Sequence, residues 1–211
     1  KATAILFSSY GCRQYGKGLR DVLFGEQEPS GRLPFVLPDT EQQLLGKEST
    51  TSSHEFKYDD KWGYRKLQQE QQKPAYPFGF GLGYSSFTLN SIWCSHPIIK
   101  SSFDMTVNAT NIGTRASAVV IQIYASRRSR RDSASVSIIS RSLIGFAKEV
   151  IKPGENSEIA VTCRISPLAE FRSSSSKMVV AEGEYDLFVS QYEGDGKALN
   201  SAFQILNEVD C

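Results

Sequence analysis

Histidine is nearly missing from this sequence: His54 and His96 are its two examples, and neither stands at a recognisable spacing from a serine or cysteine. That argues against histidine-assisted nucleophilic chemistry, and both are read as structural or solvent-facing. Cysteine is scarce too. Cys12, Cys94, Cys163 and Cys211 are widely separated, form no CxxC pair and have too few histidines nearby for a zinc site. Two disulfides in three connectivities stay open. Cys163 falls on the apolar side of an alternating segment and is expected as a buried thiol, while Cys211 is placed to bond another chain. The formal net charge is +1, so no overall field favours nucleic acid or an acidic membrane. No apolar run approaches the roughly 20 residues that cross a bilayer, so no membrane span is expected. No signal peptide is recognisable, and Lys1 stands where a Met would begin a chain, which reads as a processed or truncated end.

What is present is an ordinary globular composition, 40% apolar and 22% charged, in 211 residues: one large domain or two small ones. Ala2 to Phe7 is a short apolar run and reads as a buried strand. Tyr15, Leu19, Val22 and Leu23 follow at helical spacing, with Gly25 as a stop. A single β-α unit cannot cover both faces of its strand, so the rest of that layer is expected on sequence outside this chain. Residues 39–75 are polar, with Ser/Thr at 49–53 and Gln-rich sequence at 68–72, and read as a surface excursion pinned by Tyr58, Trp62 and Tyr64.

From Phe87 onward the period changes to two. Phe103, Met105, Val107 and Ala109 alternate with Asp104, Thr106, Asn108 and Thr110 before Asn111-Ile112-Gly113 turns the chain. Val119–Tyr124, Leu143–Val150, Ile159–Ile165, Lys177–Ala181, Tyr185–Val189 and Ala202–Leu206 continue, with turns at Pro153-Gly154-Glu155 and at Glu193-Gly194-Asp195-Gly196. With 87–94, about eight strands in about 125 residues predict an antiparallel sandwich of immunoglobulin-like or fibronectin-III-like type.

The segment Tyr76-Pro-Phe-Gly-Phe-Gly-Leu-Gly-Tyr-Ser-Ser-Phe87 sets glycine and proline among aromatic rings, a composition that no regular helix carries. Together with Pro29-Ser30-Gly31-Arg32-Leu33-Pro34 it resembles the C-terminal part of glycoside hydrolase family 3, which includes β-glucosidases and β-xylosidases. Further motifs follow in the family's order: Asp21–Gly25, Gly63-Tyr64-Arg65, Val107–Gly113, Gln122-Ile123-Tyr124, Leu143–Phe146, Pro153-Gly154-Glu155 and Gly183-Glu184-Tyr185. Two departures stand out. The stretch Gly11–Gly16 has no carboxylate where the family commonly has one, and Gly83 stands where it usually has Ser.

The resemblance implies a fold class: the end of an α/β-sandwich domain at 1–38, a linker with the aromatic-glycine segment at 39–86, and an all-β fibronectin-III-like sandwich at 87–211. It also implies retaining hydrolysis of O-glycosidic bonds, in which one carboxylate attacks the anomeric carbon and a second, about 5 Å away, protonates the leaving oxygen. Neither carboxylate maps onto this chain, so no catalytic residue is assigned here and no cofactor or metal is expected. The implied role is structural support for an N-terminal catalytic region that also binds most of the glycoside substrate. The alternative is a non-catalytic interaction or carbohydrate-binding module derived from such an enzyme. An extracellular or lysosome/vacuole-like compartment is implied.

Individual residues have competing readings. Gly63-Tyr64-Arg65 and Trp62 suit sugar hydroxyls but are expected to anchor the connection between the two domains. Tyr76, Phe78, Phe80, Tyr84 and Phe87 suit a carbohydrate platform but are expected in domain-interface packing. Arg127-Arg128-Ser129-Arg130-Arg131 reads as a solvated hairpin tip; Arg128, Arg130 and Arg131 also match an Arg-x-Arg-Arg protease site, and the charge would attract polyanions in a salt-sensitive way. Asn108-Ala109-Thr110 is a glycosylation sequon, and the alternation points Asn108 away from the core.

Overall fold

Alternating apolar residues need a second layer to bury them, and residues 87–210 supply it from within. The computed structural model describes residues 3–8, 10–43, 63–94, 98–99, 101–128 and 141–210. Strands β1 (Phe87–Cys94), β2 (Ser102–Asn111) and β5 (Asn156–Arg164) form one antiparallel sheet in the order β1-β2-β5. Strands β3 (Ser117–Arg127), β4 (Ser142–Ile151), β8 (Gly183–Ser190) and β9 (Leu199–Ile205) form the facing sheet in the order β4-β3-β8-β9. Three short strands, β6 (Glu170–Arg172), β7 (Lys177–Val180) and β10 (Val209–Asp210), make a small third sheet. This is the expected sandwich, with β6 and β10 added: they are too short for a period-two pattern to show.

The core follows the alternation. Phe103, Met105, Val107 and Ala109 of β2 meet Ile159, Val161 and Cys163 of β5 and, from the other sheet, Val119, Ile121, Ile123, Leu187 and Val189. Each fully buried aliphatic side chain contributes about 1.5–3 kcal/mol. Tyr185 stacks on Phe203 at 5.1 Å between ring centroids, and Phe103 lies 5.3 Å from the same ring. Cys163 is buried as expected, and burial raises its thiol pKa to about 12. Cys12 and Cys163 are free thiols; Cys211 lies outside the described residues.

β3 is buried on both faces from Ser117 to Ala125, unlike β2, whose outer face is open. What covers β3 is the N-terminal third of the chain. Helix α1 (Tyr15–Leu23) forms where the spacing predicts it. Helix α2 (Tyr64–Gln69) lies in the second half of the polar excursion, with Leu67 buried. The run expected as a buried strand is different: Thr3–Ser8 has no strand ladder, and Ile5, Leu6 and Phe7 are 71%, 46% and 59% exposed. A parallel strand needs neighbours to bond its backbone, and among the described residues none pairs with it. His54, Tyr58, Trp62 and His96 lie outside the described residues.

Candidate functional site: the polar seam between the α/β end and the sandwich

The two segments richest in Gly, Pro and aromatics lie against each other. Leu33 N donates to Phe80 O at 2.9 Å, and Gly79 N donates to Leu33 O at 2.8 Å. Farther along, Leu37 and Tyr76 form an antiparallel bridge. Proline removes donors and glycine removes side chains, so these segments pair in single bridges rather than a ladder. Their aromatic rings then face the sandwich. Tyr64 stacks on Phe78 at 4.8 Å and meets Tyr124 edge-on at 6.3 Å, while Phe80 meets Tyr192 edge-on at 5.3 Å. These rings pack the interface, the expected use, with Tyr64 Oη also accepting from Leu143 N at 3.3 Å.

Beneath the rings lies a buried polar network. Gln122 of β3 is 4% exposed. Its Nε2 donates to Gly79 O at 2.9 Å and Gln191 O at 2.7 Å, and its Oε1 accepts from Tyr124 Oη at 2.6 Å. Burial raises the Tyr124 pKa, with Tyr64 and Glu193 adding to it, so the phenol stays a donor. Glu193 closes the network from the β8–β9 turn. Its backbone N donates to Phe78 O at 3.0 Å, and Gln68 Nε2 of α2 donates to its carboxylate at 2.6 Å. Arg141 Nη1 stands 3.8 Å from the same carboxylate, and Arg141 N donates to Gln68 Oε1 at 2.8 Å. Burial raises the Glu193 pKa above the ordinary carboxylate value, while Gln68 and Arg141 pull it back.

A second contact sits at the far end of β3. Glu28 Oε1 accepts from Tyr84 N at 3.0 Å and from Ser117 Oγ at 2.5 Å. A Cβ on Gly83 would stand 2.2 Å from that same oxygen. A side chain at this position would require the Glu28 carboxylate to shift. Arg115 completes the contact, its guanidinium 5.3 Å from the Tyr84 ring centroid and bonded to Gly25 O.

Sequence reasoning missed Gln122, Glu193, Gln68 and Arg141 as a set. Gln122 does leave a signal, one amide in the otherwise apolar run Ala118–Ala125. A strand apolar on both faces is covered on both, so its single amide must meet a partner there. Glu193 leaves none, because it sits in a turn where acidic residues are common.

Asn108 and Arg128 are placed apart from this seam. Asn108 is on the outer face of the β1-β2-β5 sheet. Arg128 follows β3 and bonds Glu184 at 2.6 Å and Asp186 at 2.5 Å; Arg130 and Arg131 lie outside the described residues. Among the described residues no group of three or more His, Cys, Asp or Glu is arranged to hold a metal, and no helix is long and apolar enough to cross a membrane.

Comparison with known proteins places this arrangement. The glycosyl hydrolase family 3 C-terminal domain model matches residues 1–84, and the fibronectin type III-like domain model matches residues 119–192. The periplasmic β-glucosidase of Salmonella typhimurium is 31% identical over 90% of this chain, which covers 25% of that protein. Probable β-glucosidase I of Aspergillus oryzae is 28% identical over 97% of the chain, again covering 25% of the relative. The chain thus spans about a quarter of the length of the curated relatives it matches. Among solved structures, β-glucosidase from Kluyveromyces marxianus, in complex with glucose, superposes with TM-score 0.75 at 26% identity, covering 93% of this chain and 23% of that one. β-Glucosidase 3B from Thermotoga neapolitana superposes with TM-score 0.76 at 25% identity, covering 94% and 28%. With both domain models matched in order and the same architecture in solved relatives, the chain belongs to glycoside hydrolase family 3, of which it is a C-terminal part.

Proposed function

We propose that this chain is the C-terminal portion of a β-glycosidase that hydrolyses O-glycosidic bonds by the retaining two-carboxylate mechanism, and that it contributes support rather than the catalytic pair. The observation that carries the reading is the state of the N-terminal run. Ile5, Leu6 and Phe7 are exposed and unladdered, and Leu23 and Phe24 at the end of α1 are exposed as well. That is an apolar surface in want of the remainder of an α/β layer. The division into 1–38, 39–86 and 87–211 fits it: the first part completes a layer supplied from elsewhere, and the last braces it through the polar seam. Among the described residues, Glu193 is the carboxyl group whose pKa burial raises, and an amide and a guanidinium hold it rather than a second carboxylate. Its surroundings suit a structural clamp.

The Salmonella relative is a periplasmic protein by name, and with the Asn108 sequon this supports a secreted or lysosome/vacuole-like location. Arg128, Arg130 and Arg131 are proposed as a protease-sensitive run, which limited digestion with a basic-specific protease would show as a cut at 128–131.

The test is hydrolysis of an aryl β-glucoside and an aryl β-xyloside by the chain alone and by the chain joined to a preceding barrel-containing region. Hydrolysis by the joined protein and none by residues 1–211 is expected. Turnover by residues 1–211 alone would place a catalytic pair in this chain. Inactivity of both would favour a non-catalytic module.

A further inference from the structure

The two outer faces of the sandwich differ. In the β4-β3-β8-β9 sheet the N-terminal third covers the outer face of β3, whereas that of β1-β2-β5 is open, its outward β5 residues Asn156, Glu158, Ala160, Thr162 and Arg164 all exposed. Among the described residues, this open face carries one large aromatic ring, Trp93, 64% exposed on the edge strand β1. Its neighbours are short and polar. The ladder sets Trp93 opposite Thr106 and Ser91 opposite Asn108, and a bulge between Leu89 and Ser91 leaves both Asn90 and Ser91 exposed. Thr106 and Asn108 share a face, so Trp93 and Asn108 are diagonal neighbours, a separation of about 7–8 Å that an aromatic side chain spans.

Asn108-Ala109-Thr110 is the chain's only Asn-x-Ser/Thr sequence with x other than Pro. Ala109 is fully buried, which turns Asn108 and Thr110 outward together. Asn90 Nδ2 donates to Asn108 Oδ1 at 2.6 Å and to Thr110 Oγ1 at 2.7 Å. That holds the asparagine amide by its oxygen and leaves its nitrogen off the contact, the atom that an N-linked sugar takes.

We propose that Asn108 carries an N-linked glycan whose first N-acetylglucosamine lies over the indole of Trp93. In the transfer, Asn108 Nδ2 loses one proton and bonds to the anomeric carbon of a sugar delivered on a polyprenyl diphosphate. The diphosphate leaves with the electron pair of the broken C–O bond. A pyranose has one face of C–H groups, and the exposed indole offers it an apolar, electron-rich partner. The sugar covers the one large apolar side chain of this face and shields an unpaired edge strand from pairing with another chain. The inference draws on the proposed secretory location for access to the transferase, and not on glycoside hydrolysis.

The test uses the protein secreted from a eukaryotic host. Peptide mass mapping reads occupancy at Asn108, and oxidative footprinting reads the exposure of Trp93. Three forms are compared: intact glycan, glycan trimmed to its first sugar, and Asn108→Gln. Oxidation of Trp93 is expected several-fold slower in the intact and trimmed forms than in Asn108→Gln. The thermal stabilisation of the glycosylated protein over Asn108→Gln is expected to vanish in a Trp93→Ala background. Unmodified Asn108 in the secreted, folded protein would overturn the inference. So would equal Trp93 oxidation in all three forms. Loss of hydrolytic activity leaves both readouts unchanged, so failure of the proposed function is seen separately.

Discussion

Gln122 and Gly79 hold each other in place: the Gln122 amide donates to the Gly79 carbonyl at 2.9 Å, and a Cβ on Gly79 would stand 2.0 Å from Gln122 Oε1. Gly79 also has φ +77°, a conformation that side-chain-bearing residues rarely adopt. Gly79→Ala should therefore strain the backbone and break the amide network together. The expected loss is about 3 kcal/mol in urea unfolding. Gly154→Ala, where φ is +72° but the space is open, should lose only about 1 kcal/mol. Equal losses at the two positions would show that crowding against Gln122 is unimportant.

Removing the amide itself is the converse experiment. Gln122→Leu keeps the volume but leaves the carbonyls of Gly79 and Gln191 and the Tyr124 hydroxyl without their partner. A destabilisation of about 2–4 kcal/mol is expected, since each buried orphan costs about 1–3 kcal/mol and some will find water. Denaturant melts followed by near-ultraviolet circular dichroism would report it through the Tyr64–Tyr124 environment.

Glu193 makes stability depend on pH. Its pKa in the folded protein is raised above that of an ordinary glutamate, chiefly by burial. The folded state therefore binds its proton more tightly than the unfolded chain does. The resulting stabilisation is complete below the unfolded pKa and is lost as pH rises through the folded value. Glu193→Gln stays neutral throughout and keeps an oxygen for Gln68 Nε2. Relative to the parent protein it should gain stability as pH rises from about 4.5 through the raised folded pKa. Unfolding curves at a series of pH values check this. A parent protein that gains on the variant across that range would show that the Arg141 contact outweighs burial.

Asn111 shows how a motif residue acquires its role. It is fully buried, accepts from Ser85 Oγ at 2.6 Å and Gly113 N at 2.9 Å, and donates to the carbonyls of Arg115 at 2.7 Å and Ile151 at 2.8 Å. It thus ties the end of β2, the linker and the end of β4 with one side chain. Asn111→Ala should cost about 3 kcal/mol by thermal or urea unfolding.

The sandwich was legible because a sheet with one buried face writes its geometry into alternate residues: Phe103 to Ala109 and Ile159 to Ile165 both read correctly. Helix α1 was legible from apolar residues recurring at helical spacing, although none of its residues is buried. The Ala2–Phe7 strand misread has an equally physical cause. Apolar character identifies a segment that wants burial, but a strand is a relationship with another strand, and among the described residues none pairs with this one. The seam was hardest. Its aromatic residues were visible as interface material, whereas Gln68, Arg141 and Glu193 come from three distant stretches whose meeting no local pattern encodes.

Thiol chemistry offers a simple check on the packing. Burial holds Cys163 as a thiol with a pKa pushed up to about 12, while Cys12 is exposed. An alkylating reagent at pH 8 should modify Cys12 in the native protein within minutes and Cys163 only after denaturant is added. Peptide mass mapping separates the two. Rapid native labelling of Cys163 would mean that the β4–β5 edge opens readily.

The bridge between Leu37 and Tyr76 closes the chain on itself around everything that lies between them. The ends of that excursion are held together whatever its content, so its length is nearly decoupled from the rest of the fold. Doubling such a loop adds only about 0.6 kcal/mol of closure entropy. Insertions between these ends can therefore be accommodated as long as Tyr64, Leu67 and Gln68 keep their places in the seam, and new specificity can be added there without rebuilding the domains on either side.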